Sequence, residues 1–181
     1  VHVNKTDTQY VNSVIKRGMN WALGPDFISL EKKLAKLVGL KHCVSFNSGT
    51  SAGHAVMIAM NLQKSQVLVP SFSFIATANW PLMVNAYPKF IDIEEDTLGM
   101  DPNQIEQKIS PRVKAVMPIH FAGLPCKIDE IASIAKKNKI KLIEDCAESL
   151  GSSIKNKKSG SFGDATILSF AGNKVLTAGE G

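Results

Sequence analysis

Short apolar runs alternate with amphipathic stretches along most of this chain. The apolar runs are rich in Val, Ile and Leu without clean alternation, which is typical of strands in a sheet covered on both faces. The amphipathic stretches have helical spacing. The pattern predicts strands at residues 42–46, 66–69, 89–93, 114–118, 141–145 and 165–170, and helices at residues 26–38, 51–61, 75–84, 103–109 and 128–138.

Two segments modify this pattern. Pro81 lies inside the helix predicted at 75–84. Because proline lacks an N–H and clashes with the preceding turn, this helix is expected either to start later or to be kinked. Residues 151–163 are rich in Gly, Ser and Lys, and we expect them to form the most mobile loop.

The composition fits a cytosolic α/β domain. Of 181 residues, 44% are hydrophobic and 20% are charged, which is enough for a sizeable core. No apolar run reaches membrane-spanning length, so we expect no membrane partner and a cytoplasmic location. Cys43, Cys126 and Cys146 are odd in number and lack metal or redox spacing. They are interpreted as reduced, buried residues, and no metal site is expected.

The net charge of +5 raises the question of nucleic-acid binding. The basic residues are spread over two amphipathic helices and one loop, around Lys32, Lys136 and Lys157. Such a distribution is typical of solvated faces and does not form a single basic stripe. We therefore expect no nucleic-acid partner.

Lys174 is the first candidate for chemistry. It follows the apolar run 165–170 and lies between Gly172 and Gly179, so it is expected on a turn at the edge of a sheet. Partial desolvation there frees an amine lone pair for nucleophilic attack. The alternative is an ordinary solvated surface lysine.

Two further segments are candidates for binding. Asp145 ends an apolar strand, where a carboxylate faces the crevice in which open α/β sheets bind ligands; alternatively it caps the next turn. The turn at Gly49, Thr50 and Ser51 joins a short predicted strand to a helix. Free N–H groups and the helix dipole favour an anion at such a turn.

Taken together, these segments resemble the DegT/DnrJ family of pyridoxal-phosphate-dependent sugar aminotransferases, a branch of the fold-type I aminotransferases. The resemblance covers most of the chain, and several motifs in register are more specific than any one of them. The motifs are NSGTSA at 47–52, PSFSFIATAN at 70–79, PKFIDI at 88–93, PIHFAG at 118–123, EDCAE at 144–148 and SFAGNK at 169–174.

The resemblance implies a fold and a domain organisation. The fold is a three-layer αβα large domain of a fold-type I enzyme, with a mostly parallel sheet. Family members are roughly twice this length, so residues 1–181 are expected to be a fragment of the cofactor-binding large domain. The sheet is then incomplete at its C-terminal end, and the C-terminal small domain is absent.

The resemblance also implies site residues. Lys174 matches the lysine that binds pyridoxal 5'-phosphate covalently and shuttles the substrate proton. Asp145 matches the partner of the ring nitrogen, because a carboxylate there keeps that nitrogen protonated. Phe74 matches an aromatic residue that stacks on the ring, although core packing is an equal alternative from sequence.

The remaining implied residues surround the cofactor's other groups. Gly49, Thr50, Ser51 and Ser169 match the phosphate cradle. Glu148 takes a position where many relatives have Gln or His near the ring oxygen, and a carboxylate beside that oxygen must be protonated or turned away. His120 is interpreted as a structural residue at a strand end.

The implied reaction is transfer of an amino group from an amino acid, expected to be glutamate, to a nucleotide-linked keto sugar in amino-sugar or polysaccharide biosynthesis. Gly172, Asn173 and Lys174 most resemble the perosamine-synthase-like branch, and family members build their sites in homodimers. One alternative is a sugar dehydratase of the same family, in which His replaces the lysine. Another is a non-catalytic nucleotide-binding relative.

Overall fold

The computed structural model describes residues 3–18, 24–179 and 181. The chain forms two compact units, Val1–Ser45 and Phe46–Gly181. That residues 1–181 belong to one cofactor-binding domain stays a prediction from the sequence. None of the described helices is both long and apolar enough to cross a membrane.

The first unit contains helices α1 (Lys5–Arg17) and α2 (Pro25–Val38). Helix α1 was absent from the sequence prediction. Its signal is a capping box, in which the Asn4 side chain accepts N–H bonds from Thr6 and Asp7 and the Asp7 carboxylate accepts the Asn4 N–H. This exchange satisfies the free amides of the first turn and starts the helix.

The strand predicted at 42–46 is wrong, since these residues form neither helix nor strand. The Ser45 N–H donates to the Glu31 side chain, 2.8 Å away, and Val44 is 69% exposed. In the described part of the chain no strand pairs with this segment. An apolar run becomes a strand only when a neighbour completes its hydrogen bonds.

The second unit is built on a parallel sheet of five strands, which are β1 (Gln66–Pro70), β2 (Tyr87–Ile91), β3 (Val113–Val116), β4 (Lys141–Asp145) and β7 (Ala165–Ile167). Their order in the sheet is β2-β1-β3-β4-β7. These confirm the other five predicted strands, with β7 shorter than expected. Because the strands are parallel, their carboxyl ends meet at one edge.

The described residues of this unit form four α-helices: α3 (Gly49–Ala59), α4 (Ile75–Met83), α5 (Pro102–Lys108) and α6 (Ile128–Asn138). Neighbouring strand residues point to opposite faces of the sheet. Val67 and Val69 pack with Met57 of α3 and Trp80 of α4, while Leu68 packs in a second core with α5 and α6. The sheet therefore lies between two helical layers, as the three-layer prediction requires.

Pro81 does not delay the start of α4, which begins at Ile75. The proline is buried at the seventh of nine positions, and Val84 and Ala86 donate their N–H groups to its carbonyl. Because proline has no N–H, Pro81 cannot donate the intrahelical bond to the Thr77 carbonyl, and α4 ends two residues later, at Met83.

The segment 151–163, expected to be the most mobile loop, contains a small hairpin. Its strands are β5 (Ser153–Ile154) and β6 (Lys157–Lys158), which pair antiparallel. The two turn residues, Lys155 and Asn156, have φ of 49° and 63°. Positive φ at both central positions gives the turn that suits the twist of a tight hairpin.

Candidate functional site

The sequence-predicted residues gather at the carboxyl edge of the sheet. Asp145 is the last residue of β4, and Ser169 and Lys174 follow β7. The segment after β7 folds back on itself, since the Lys174 N–H donates to the Ala171 carbonyl, 3.0 Å away, and Ala171 bridges to Gly179. Open α/β sheets bind ligands at this edge.

Asp145 is a buried carboxyl, with 2% of its surface exposed. One oxygen, Oδ2, accepts the Thr77 hydroxyl at 2.8 Å, and the other accepts the Ala147 N–H at 3.1 Å. Burial raises the pKa of Asp145 above its ordinary value, and these bonds and the positive charge of Lys174 offset only part of that effect. The Asp145 charge therefore lacks a full counter-charge.

Lys174 is partly desolvated, with 15% of its side chain exposed. Its Nζ lies 3.6 Å from Glu148 Oε1, and Glu148 Oε2 accepts the Ala122 N–H at 2.8 Å. Ala122 has a φ of 50°, a conformation that non-glycine residues adopt rarely. Glu148 thus joins the turn after β3 to the lysine.

The turn before α3 has the geometry of an anion site. The Ser48 side chain caps the helix by accepting the Ser51 N–H at 3.0 Å. Gly49 and Thr50 occupy the first helical positions, whose N–H groups have no intrahelical acceptor. A methyl group on Gly49 would come within 3.1 Å of Ser169 Cβ, so the turn and Ser169 meet closely.

Phe74 is two-thirds exposed at the start of α4, which removes the core-packing alternative for its ring. The preceding Phe72 is also exposed and packs on Phe121, with ring centroids 4.5 Å apart. Both aromatic residues follow β1, on the same edge as Asp145.

Sequence reasoning missed the network around Glu144. Its carboxylate accepts N–H bonds from Gly160, Phe162 and Gly163 at 2.6 to 2.8 Å, and it pairs with His120 Nε2 at 3.1 Å. Since His120 Nδ1 accepts the Cys126 N–H, the proton of a neutral ring lies on Nε2 and is donated to Glu144. His120 is thus a structural residue in this network.

A cluster of possible metal ligands shares this network. His120, Glu144 and Cys146 are buried with their ligand atoms within 4.8 Å of one another. Both His120 nitrogens and both Glu144 oxygens are already hydrogen-bonded, and burial raises the pKa of the Cys146 thiol to about 12. These groups hold the loop after β4 and are not free to bind an ion.

Thr77 was also missed. It lies in α4 and donates its hydroxyl to Asp145 across 68 positions of sequence. Thr77 could have been identified only through the PSFSFIATAN motif at 70–79, because a single threonine in a helix does not by itself indicate a site residue.

The chain matches a known protein family over nearly its whole length. Residues 2–181 match the model of the DegT/DnrJ/EryC1/StrS aminotransferase family. The GDP-perosamine synthase of Caulobacter vibrioides is 38% identical over 97% of this chain and 45% of the relative. The spore coat polysaccharide biosynthesis protein SpsC of Bacillus subtilis is 36% identical over 99% of this chain and 46% of the relative.

Among solved structures, an aminotransferase from Psychrobacter cryohalolentis matches with a TM-score of 0.94 and 27% identity, over 99% of this chain and 46% of that protein. The chain spans about half the length of the relatives it matches. A family match over nearly every residue, together with a shared fold, makes the assignment firm: this chain belongs to the DegT/DnrJ/EryC1/StrS aminotransferase family.

Proposed function

We propose that the protein carrying this chain is a pyridoxal-phosphate-dependent aminotransferase that aminates a nucleotide-linked keto sugar. The observation that carries the proposal is a partly desolvated Lys174 whose positive charge acts on the buried Asp145, both at the carboxyl edge of the sheet. An amine nucleophile and an incompletely neutralised carboxylate are the two groups that this cofactor requires from a protein.

The described residues fit the cofactor. The first turn of α3, with the Gly49 and Thr50 N–H groups and Ser169 close by, suits a phosphate dianion. Asp145 has one protein donor on each oxygen, which leaves lone pairs for a protonated ring nitrogen. Phe74 presents an exposed ring at the same edge.

When bound, the cofactor would supply an electron sink for the carbon that carries the amino group. The chain's own residues would do the rest. Lys174 would hold the cofactor through Nζ and move the proton at the reacting carbon. Asp145 would present its negative charge to the ring nitrogen. Glu148 holds the Lys174 amine within 3.6 Å and fixes the turn at Ala122.

The substrate assignment rests on the relatives. The names of the Caulobacter and Bacillus relatives point to GDP-perosamine and to a polysaccharide, which supports a nucleotide-linked keto sugar as acceptor. A net charge of +5 suits an anionic substrate. Glutamate as donor and a homodimer as the working assembly stay predictions.

Two alternatives are weaker on specific residues. A family dehydratase has His where this chain has Lys174. A non-catalytic nucleotide-binding relative has no need of a buried carboxylate, whose desolvation destabilises the fold. Asp145 and Lys174 together favour the transferase.

The test is an amino-transfer assay on the protein that carries this chain. It is incubated with pyridoxal phosphate, glutamate and a panel of nucleotide-linked keto sugars, and the products are identified by mass. We expect 2-oxoglutarate and an amino sugar in equal amounts, and no turnover by the Lys174→Ala variant. A dehydrated keto sugar, or turnover that survives Lys174→Ala, would contradict the proposal.

A further inference from the structure

The hydroxyl groups of Ser73 and Thr77 form a chain of two hydrogen bonds that ends at the Asp145 carboxylate. The Ser73 hydroxyl donates to Thr77 Oγ1 at 2.7 Å, and the Thr77 hydroxyl donates to Asp145 Oδ2 at 2.8 Å. Thr77 is fully buried in the first turns of α4, and Ser73 lies just before that helix and is half-buried. The pair forms a short relay that ends on the carboxylate.

The direction of the relay follows from chemistry. An ionised carboxylate can only accept hydrogen bonds, so the Thr77 proton must point to Asp145. The Thr77 oxygen is then free to accept the Ser73 proton. A hydroxyl that accepts one bond becomes a better donor in the next, because the two bonds polarise each other.

The relay stabilises a carboxylate that is buried from solvent water. With 2% of its surface exposed, the charged form of Asp145 is stabilised by protein groups, which are the hydrogen-bond donors Thr77 and Ala147 and the positive charge of Lys174. Burial raises the pKa of Asp145, and the hydrogen bond from Thr77 is the largest of the effects that lower it again. Hydrogen bonds to the charged form favour that form.

We propose that Thr77, supported by Ser73, is a positioning residue that keeps Asp145 ionised and orients its carboxylate for the cofactor's ring nitrogen. The inference rests on the proposed function, in which Asp145 is the partner of that nitrogen. Thr77 itself acts through Asp145 and touches no reacting atom.

The test compares two ligands, pyridoxal phosphate and its analogue in which the ring nitrogen is replaced by C–H. Their dissociation constants are measured by absorbance or fluorescence titration for the wild-type protein, Thr77→Ser and Thr77→Val. Thr77→Ser keeps the hydroxyl, whereas Thr77→Val keeps the shape and removes it. The ratio of the two constants reports only on groups that act at the ring nitrogen.

We expect wild type and Thr77→Ser to prefer pyridoxal phosphate by the same factor, and Thr77→Val to lose about tenfold or more of that preference. The affinity for the analogue should be the same in all three. An undiminished preference in Thr77→Val, or an equal loss for both ligands, would overturn the inference. A wild-type protein without any preference would overturn the ring-nitrogen contact in the proposed function itself.

Ser73→Ala provides a second variant if Thr77→Val fails to fold. Ser73 is only half-buried, and its removal leaves the bond from Thr77 to Asp145 in place. We expect a smaller loss of the same preference, about threefold. An unchanged ratio in Ser73→Ala would remove Ser73 from the relay.

Discussion

At the scale of single residues, the buried charge of Asp145 lowers the stability of the fold, but the proposed chemistry requires it. A buried charge without a full counter-charge destabilises a fold. The same charge is what a cationic ring nitrogen needs as a partner. Thr77 and Ala147 supply hydrogen bonds that reduce the conflict without removing it.

The pH dependence of stability follows from the direction of this shift. Because burial raises the pKa of Asp145, the folded cofactor-free protein holds this proton more tightly than the unfolded chain does. The contribution of Asp145 to stability is therefore full below the ordinary value of 3.8 and is lost as the pH rises through the higher folded value.

Asp145→Asn removes that titration. We expect the cofactor-free variant to be more stable than wild type at neutral pH, with the difference fading as the pH falls to the ordinary Asp value, and thermal unfolding across pH measures this. Amino transfer should fall roughly a hundredfold or more, because the ring nitrogen loses its partner. An Asp145→Asn variant that is less stable than wild type at neutral pH, or that transfers amino groups at a near-normal rate, would contradict this role of Asp145.

At the scale of elements, the loop after β4 is held by one carboxylate. Glu144 accepts three backbone N–H groups of residues 160–163 and the His120 ring N–H. Gly163 fits only because it lacks a side chain, since a methyl group there would come within 2.5 Å of the Leu142 carbonyl oxygen. A loop fixed in this way brings β7, and hence Lys174, to the carboxyl edge.

Glu144→Ala leaves several buried donors without acceptors. We expect it to lower the free energy of unfolding by about 3 to 5 kcal/mol, measured by denaturant titration, and to expose the amides of residues 160–163 to hydrogen exchange. Glu106→Ala is the matched control, because Glu106 pairs with Lys137 on the surface at 2.8 Å and is expected to matter by less than about 1 kcal/mol. Similar losses in the two variants would contradict the assignment.

At the scale of the whole molecule, apolar periodicity predicted the elements that pack on each other in the second unit. It failed for residues 42–46, where a strand pattern lacks a pairing neighbour in the described chain. Helix α1 was missed although Tyr10, Val11, Val14 and Ile15 repeat at helical spacing after the Asn4 cap. Sequence motifs predicted Asp145 and Lys174 as site residues, and both lie at the carboxyl edge of the sheet. The motifs could not locate the contacts of Thr77 and Glu144, because those depend on partners that only the fold brings near.

Covalent trapping tests whether Lys174 carries the cofactor. The protein that carries this chain is loaded with pyridoxal phosphate, reduced with borohydride, digested and mapped by mass spectrometry. We expect the pyridoxyl mass on the peptide that contains Lys174, and its loss in Lys174→Ala. A pyridoxyl label on a different lysine would contradict the assignment of Lys174.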